Sequence, residues 1–595
     1  MRLITVYIPG AKESDIWEGG KIASVCHGIK FLRTGKCKII YKLNRAYISL
    51  WLNNKVEKIM RSFHILICII FFIVGYQSVL AQQTPKWGDQ GDGTYCNPVI
   101  PGDYSDIDAI RVGDDYYAIS STMQFSPGMV VLHSIDLVNW EIIGHVANDL
   151  TRISPEMNWD RMNCYGKGVW AGSIRYYKGK FWVYFGTPDD GFFMSSATNP
   201  AGPWEPIHQL WKVSGWDDCC SFCDDDDQLY FIATNFALDA KTNKKYNIHL
   251  FKMTPDGKSL IMESDTIIYQ SLGSEANKLY KINGLYYHFF SEVHSEGRVM
   301  MMERSKSLYG SWKIKQLNHV DPTKDREPNQ GGLLQIAPDK WQFFTHHGTG
   351  GNWEGRVVSL LPVIWIDGWP VIGEVGEDTI GSMVWTAPKP IKLKNKLTIQ
   401  TSDEFNSPDL SPQWEWNYQP RADKWSLTDR KGFLRLHAFK PIRSDDSKRI
   451  ILRAGNTITQ RSMRTKANIV TVKMEIGNMS DGQYAGITHF STKKYSTFGI
   501  KQENGERFLV YDYNGNTSTG IKITGKFVWL KSIWDYNGIN QYFISINGKS
   551  YKPFGSDSQL TWGSYRGDRI GIFNFNPKED KGYVDVDWFR YSYSK

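Results

Sequence analysis

Three acidic residues stand out by type and by position. Asp106, Asp218 and Glu275 lie ten, twelve and eleven residues ahead of aromatic-rich segments that begin at Tyr116, Tyr230 and Tyr286. The corresponding places ahead of Phe181 and Trp341 hold Trp170 and Gln330. A single Asp or Glu near the start of a strand is usually a turn acceptor or a solvated surface group. Three in one register are different, because like charges in a confined pocket push one another's pKa upward, a cost worth carrying only where the groups are used or neutralised. Two carboxyl groups flanking a sugar, one ionised and one kept protonated, are what cleavage of a glycosidic bond requires. The aromatic share of 14% over 595 residues, with 23 Trp, suits stacking on sugar rings.

The elements that must bring these residues together repeat along the chain. A turn of Asp, Gly, Asn or Lys followed by an aromatic strand occurs five times: Asp114-Asp115-Tyr116-Tyr117, Gly179-Lys180-Phe181-Trp182, Asp227 to Phe231, Asn283-Gly284-Leu285-Tyr286-Tyr287 and Asp339-Lys340-Trp341. The first aromatics are 65, 49, 56 and 55 residues apart, which are the lengths of propeller blades. Trp140, Trp204 and Trp312 follow their strand aromatics by 24, 23 and 26 residues, as if each blade closed on a Trp before its outer strand. Residues 95–385 show almost no helical periodicity and are rich in Gly, Asp and Asn turns. The expectation is an all-β chain: a five-bladed β-propeller over 87–386, whose innermost strands converge on the axis and carry the acids there. The Pro- and Lys-rich segment 387–396 reads as a linker, and 397–595, with short alternating strands and Asn-Gly turns, as a β-sandwich.

Composition narrows the partners. At 41% apolar and 22% charged, the chain is an ordinary globular protein. The formal charge of +8 invites a nucleic-acid reading until it is located. Residues 1–59 hold eleven Lys/Arg against four acids and Arg61 adds another, so the remainder is neutral and no nucleic-acid partner is expected. Met60-Arg61, an apolar run through Ile65–Val74 and Ser78-Val79-Leu80-Ala81 read as a signal peptide over 60–81, cut after Ala81, with 1–59 as upstream non-domain sequence. The mature chain is then expected to be exported, periplasmic or extracellular, with no stable membrane insertion. It keeps five cysteines, Cys96, Cys164, Cys219, Cys220 and Cys223, too few for a disulfide scaffold. The 219–223 cluster has no second Cys/His pair nearby and reads as small buried residues, with room for a local bridge. The acidic run Asp224–Asp227 lacks calcium-loop spacing and reads as a hairpin turn.

With these residues in view, the sequence resembles glycoside hydrolase family 43, five-bladed-propeller enzymes acting on arabinose- and xylose-containing polysaccharides. The matching stretches are Asn97 to Asp106, Ile110 to Tyr117, Leu132 to Trp140, Lys278 to Gly284, Pro328 to Gly332 and Asp367 to Pro370. The tail resembles the concanavalin A-like domain appended to β-xylosidase and α-L-arabinofuranosidase members. The resemblance implies an inverting hydrolase in which Asp106 is the general base, Glu275 the general acid, and Asp218 the residue that orients Glu275 and keeps its pKa raised. It further implies Arg356 near the catalytic centre and Phe125 and Trp170 as walls for the sugar. Gln330, in register with the acids, is read as a further substrate contact, and His489-Phe490 as part of a sandwich loop narrowing the pocket. His346 or His347 near the axis has a metal-site precedent in the family, although buried core histidines are the more ordinary reading. No cofactor is needed for the chemistry; Glu404 and Asp587 resemble a structural Ca2+ site. Departures fall beside the acids: Asp106-Ile107, Trp170-Ala171-Gly172, Asp218-Cys219 and Glu275-Ala276-Asn277 replace the usual motifs. The implied partner is an arabinose- or xylose-containing polysaccharide or oligosaccharide, attacked from its end. An endo-arabinanase and a non-catalytic carbohydrate-binding paralogue are the alternatives.

Overall fold

The structure, a computed structural model, describes residues 86–236, 245–320, 328–348, 352–393, 397–442 and 450–594, together with the antiparallel pair Val25–Cys26 and Ile29–Lys30. The chain divides into two compact units, Met1–Gln83 and Thr84–Lys595. Beyond that pair, the upstream segment 1–59 and the signal-peptide segment 60–81 lie outside the described residues. In the second unit the described residues form strands and four short 3₁₀ turns, with no α-helix.

Five sheets follow one another, each with four strands paired antiparallel in chain order; the first skips Phe125–Ser126, and the fourth is extended by Gly381–Ser382, paired parallel to its fourth strand, and Glu374–Val375. Their first strands are Asp108–Val112, Gly172–Tyr177, Trp216–Cys223, Glu275–Ile282 and Pro328–Ala337. Each aromatic motif of the sequence forms the second strand of a sheet: Asp115–Ser120, Lys180–Thr187, Leu229–Asn235, Leu285–His294 and Lys340–His347. In the fourth sheet the connecting turn is Asn283-Gly284, both at positive φ (51° and 76°), the conformation a two-residue hairpin demands. Trp140 opens the outer strand Trp140–Ala147, Trp312 immediately precedes Lys313–Asn318, and Trp204 stands a few residues before His208–Trp211. Trp140 is buried against Phe344 of the fifth sheet, ring centroids 4.5 Å apart, so this tryptophan joins neighbouring sheets. Each first strand touches the first strand of the next sheet, and the fifth touches the first.

The C-terminal part holds two further sheets. One runs, in spatial order, Asn516–Lys522, Glu506–Tyr513, Tyr495–Glu503, Tyr484–Phe490, Arg569–Phe575, Ile458–Arg461, Glu415–Asn417 and Phe125–Ser126. The other is centred on Tyr583–Tyr593, Ala467–Glu475 and Phe527–Asp535. In Ala467–Glu475 and Phe527–Asp535 alternate side chains are buried, the period-2 pattern of a strand with one face on a core. Val470, Val472, Leu530, Ile487, Phe498 and Ile572 from both sheets meet in a single cluster.

The two regions are stitched together more tightly than a linker suggests. Phe125–Ser126, from a loop of the first four-stranded sheet, pairs with Glu415–Asn417 and ends the sandwich sheet. The segment read as a linker is fixed at its start: Thr386–Pro388 pairs with Thr94–Cys96, and buried Lys389 bridges Asp89 and Asp136, 2.8 Å from each. A charged residue pinned between two carboxylates is a clamp, which Pro/Lys composition alone does not reveal.

Candidate active site

The register seen in the sequence becomes a backbone feature. Asp106, Asp218 and Gln330 adopt left-handed φ angles (55°, 51°, 58°), as does Ala276 directly after Glu275 (71°). Strand pairing slips at Asp217/Cys220, Glu275/Lys278 and Asn329/Gly332. Such bulges and left-handed non-glycine residues re-aim side chains at a cost of order 1–3 kcal/mol each, and they gather at functional sites. Here the device recurs beside the starts of four first strands, and the acids it re-aims are near enough to act on one another.

Asp106 is held by donors. Arg356 Nη1 donates to its Oδ1 at 2.8 Å and Ser121 Oγ to its Oδ2 at 2.5 Å. Its backbone N–H donates to His346 Nδ1 at 2.7 Å, which fixes that ring nitrogen as an acceptor. Burial favours the neutral carboxyl, but Arg356 beside it, helped by Ser121 and Arg566, outweighs this and holds the pKa below the usual carboxylate value. His346, buried and facing Arg356, is itself pushed down to about 3, so near neutrality it is an uncharged hydrogen-bond acceptor.

Asp218 lies in the opposite environment. Its Oδ2 accepts from Ala276 N at 2.5 Å and from Gln330 Nε2 at 2.9 Å, and its carbonyl accepts from Asn277 Nδ2 at 2.8 Å. Desolvation first, then Glu275 and Asp106, raise its pKa, against which Lys278 and the Ala276 N–H are too weak. Its neighbour Asp217 is raised further, by burial and by Asp218, and its Oδ1 has no hydrogen-bond partner. Glu275, on the first residue of its strand, is the most open of the three acids, its side chain 24% exposed with Oε1 3.3 Å from Arg298 Nη1. Asp218 therefore grips the peptide that carries Glu275, while Gln330 contacts Asp218 and, through Oε1, Lys278 Nζ at 3.4 Å.

Trp170 is half-buried, its Nε1 donating to Gly166 O, and its ring meets Tyr565 edge-on at 5.9 Å. Tyr565 belongs to the sandwich and is 57% exposed, so the turn around it, with Ser564 and Tyr565 both at positive φ, is the sandwich segment that reaches the site. This corrects the expectation for His489-Phe490. Phe490 and Phe125 are fully buried, packed with Ile451, Tyr495 and Phe573, and the Phe125 ring faces the Arg569 guanidinium at 4.1 Å. Both lie on strands of the sandwich sheet whose inward faces form a core between the regions, so neither is a wall for a sugar. His489 is on the strand itself, bonded to Asp568 at 2.6 Å.

The two acids of the calcium reading face cations. Glu404 is engaged at both oxygens by Arg590, and Asp587 by Lys473 Nζ, so each carboxylate is already neutralised by a cation. Among the described residues no three His, Cys, Asp or Glu side chains gather as a metal site. Cys96, Cys164, Cys219, Cys220 and Cys223 are free thiols, and Asp224–Asp227 forms the turn before Leu229–Asn235.

Sequence reasoning missed Ser121, Arg298, Tyr565 and Arg566. They come from three distant stretches of chain, at 121, 298 and 565–566, with no local pattern, and only Tyr565 carries even an aromatic signal.

Both regions of the chain match known families. Residues 95–370 match the model of glycosyl hydrolases family 43, and 402–592 that of the beta xylosidase C-terminal concanavalin A-like domain. A beta-xylosidase of Formosa agariphila is 35% identical, covering 87% of this chain and 93% of its own. A putative beta-xylosidase of Xylanibacter ruminicola is 34% identical over 82% and 88%. A non-reducing end alpha-L-arabinofuranosidase of Bacteroides ovatus is 30% identical over 58% and 65%. Among solved structures, the GH43 protein BlXynB of Bacillus licheniformis superposes with a TM-score of 0.71 at 25% identity, covering 84% of this chain and 100% of that one.

Proposed function

We propose, from the premise that this chain belongs to glycosyl hydrolases family 43, that it is an inverting exo-glycosidase releasing terminal xylose or arabinofuranose from plant cell-wall oligosaccharides or polysaccharides. It is a glycosidase of two parts, a family 43 catalytic region and a concanavalin A-like region. The mutual contacts of the five first strands support reading the catalytic sheets as a five-bladed β-propeller over 87–386, joined through 387–396 to the sandwich over 397–595. Two relatives that match most of the chain are named beta-xylosidase and putative beta-xylosidase, which favours xylose over arabinofuranose as the sugar released.

One observation carries the mechanism: the acids have been sorted into opposite environments. Asp106, held ionised by Arg356 and Ser121, is suited to take a proton from water on one face of the sugar ring. Glu275, open to the pocket and anchored through Ala276 to Asp218, is suited to give a proton to the leaving oxygen on the other face. Asp218, its own pKa raised by burial and by Glu275 and Asp106 beside it, holds the Ala276 N–H and so fixes the peptide that carries Glu275. Inversion asks that base and acid stand about 6.5–9.5 Å apart, with room for water between them. The exposed Tyr565 of the sandwich meets Trp170 edge-on, and a second region reaching the catalytic sheets supports a pocket for a chain end over an open groove. Export through the segment 60–81 belongs to this reading, and the neutral charge of the remaining chain suits an uncharged polymer.

The test is hydrolysis of matched aryl β-xylosides and α-L-arabinofuranosides, with the first-released anomer read by proton NMR. Inverted monosaccharide is expected, with the xyloside the better substrate. A retained anomer, or mid-length oligomers early in digests of a linear polymer, would overturn the reading.

A further inference from the structure

A group of buried charges joins the sandwich to the loop bearing Asp106, and the proposed reaction so far gives it no task. Arg566 comes from the sandwich, yet its side chain is fully buried against the loop that carries Asp106. Its Nη1 donates to Ser105 Oγ at 2.8 Å and Ser121 O at 3.3 Å, and its Nη2 pairs with Asp103 Oδ2 at 2.9 Å. Ser105 and Ser121 share a hydrogen bond of 2.9 Å, and Ser121 is the donor to Asp106 Oδ2. Asp103 Oδ1 meanwhile accepts from the backbone N–H of Arg356, the other donor to Asp106, and its Oδ2 from Gly567 N. Both groups that hold Asp106 are thus themselves held by the Arg566–Asp103 pair.

The surroundings make a purely stabilising role a poor explanation. Arg461 and Arg569 pack beside Arg566 and share Glu415, and these neighbours together with Arg356 and burial push the Arg566 pKa down to about 10. Buried nitrogens of Arg461, Arg566 and Arg569 have no hydrogen-bond partner. Clustered buried arginines with incomplete pairing cost more than apolar side chains of the same volume, so what they provide is geometry and field. The turn Ser564-Tyr565-Arg566 is strained at its first two residues, with Tyr565 directed to Trp170 and Arg566 to the underside of Asp106.

We propose that Arg566 is a positioning residue for the general base, so that the concanavalin A-like region completes the catalytic centre from behind as well as at its mouth. Arg566 acts through Ser121 and through Asp103–Arg356, keeping Asp106 ionised and its oxygens aimed. The inference rests on Asp106 being the base. The charged and titratable groups around Asp106 are Arg356 and His346 of the fifth sheet, Asp217 and Asp218 of the third, Glu275 of the fourth, and Arg566 with Asp103 behind it.

The experiment is a double-mutant cycle in the full chain that does not depend on turnover. Thermal unfolding is followed at pH 7 and at low pH for the parent, Arg566→Met, Asp106→Asn and the double variant. Arg566→Met should lower Tm more in the parent than in the Asp106→Asn background at pH 7, and the excess should shrink once Asp106 is protonated. Equal losses in both backgrounds at pH 7 overturn the proposal. The second readout is the acid limb of kcat/KM on an aryl xyloside. Arg566→Met should shift it upward by about one pH unit, so that activity at the foot of the limb falls roughly tenfold. Arg566→Lys, which keeps the charge, should leave the limb near its parental position, and Arg590→Met, on the exposed pair with Glu404, should not move it. A parent inactive on every pentoside refutes the functional reading, while the unfolding cycle still decides whether Arg566 and Asp106 are coupled. An unshifted limb in a folded Arg566→Met counts against the proposal itself.

Discussion

The surroundings of Asp106 and Asp218 differ more than their sequence settings do. Both residues are buried, both sit at left-handed φ near the start of a first strand, and both lie among the same acids. Around Asp106 the near partners are a guanidinium, a hydroxyl and a second arginine; around Asp218 they are a peptide N–H, an amide and two carboxyls, opposed by Lys278. Burial pushes both toward the neutral form, and only the neighbours decide the outcome. In the proposed reaction the base and acid sides are set by which residues the neighbouring strands and the sandwich bring in, not by the acids themselves.

The largest expected effect breaks the Asp106 side outright. Asp106→Asn removes the proposed base and should lower turnover on every substrate by roughly 10²–10⁴ or more; steady-state rates on an aryl xyloside and a xylo-oligosaccharide check it. Arg356→Met leaves the carboxylate but removes its main cation. Since Arg356 depresses the Asp106 pKa, its loss raises that pKa, so the acid limb of kcat/KM should move to higher pH by about one unit or more. Limb position, fitted from rates between pH 4 and 8, is the readout.

On the other side, Asp218→Asn should slow hydrolysis while stabilising the fold. The folded-state pKa of Asp218 lies above its unfolded value, so ionisation costs stability progressively as pH rises from about 4 through the raised pKa. The Asn variant escapes that cost, and its Tm advantage should be absent at acid pH and present at neutral pH. A Tm lowered at both would mean that Asp218 is a net structural anchor. The smallest effect belongs to Lys278→Met, which removes the cation opposing that rise. It should worsen the neutral-pH penalty and change the acid limb little, because Asp106 is governed by Arg356.

How much of this could be read in the chain differs by region. The five sheets announce themselves through local marks: Asn-Gly and Asp-Asp turns, alternate aromatics and a Trp before the outer strand, all within one repeat. The shared register of Asp106, Asp218 and Glu275 was legible for the same reason, as the distance from strand start to aromatic is set inside one hairpin. Phe125 and Phe490 were misassigned because sequence gives an aromatic residue's place along the chain but not its face. Pairing of Phe125 with Asn417 directs it into a core shared by both regions. Arg566 and Asp103, more than 450 residues apart, make a contact that no periodicity encodes. The left-handed backbone at the acids was hidden for another reason, since Asp and Gln carry no signature of it as Gly would.

The division of labour between Asp106 and Glu275 is tested most directly by leaving-group dependence. Glu275→Gln and Asp106→Asn are compared on an aryl xyloside with a good leaving group and on xylobiose, which needs protonation of its leaving oxygen. The account predicts that Glu275→Gln loses most of its activity on xylobiose but far less on the aryl xyloside, whereas Asp106→Asn is impaired alike on both. Equal impairment of Glu275→Gln on both, or selective rescue of Asp106→Asn by the good leaving group, would contradict it.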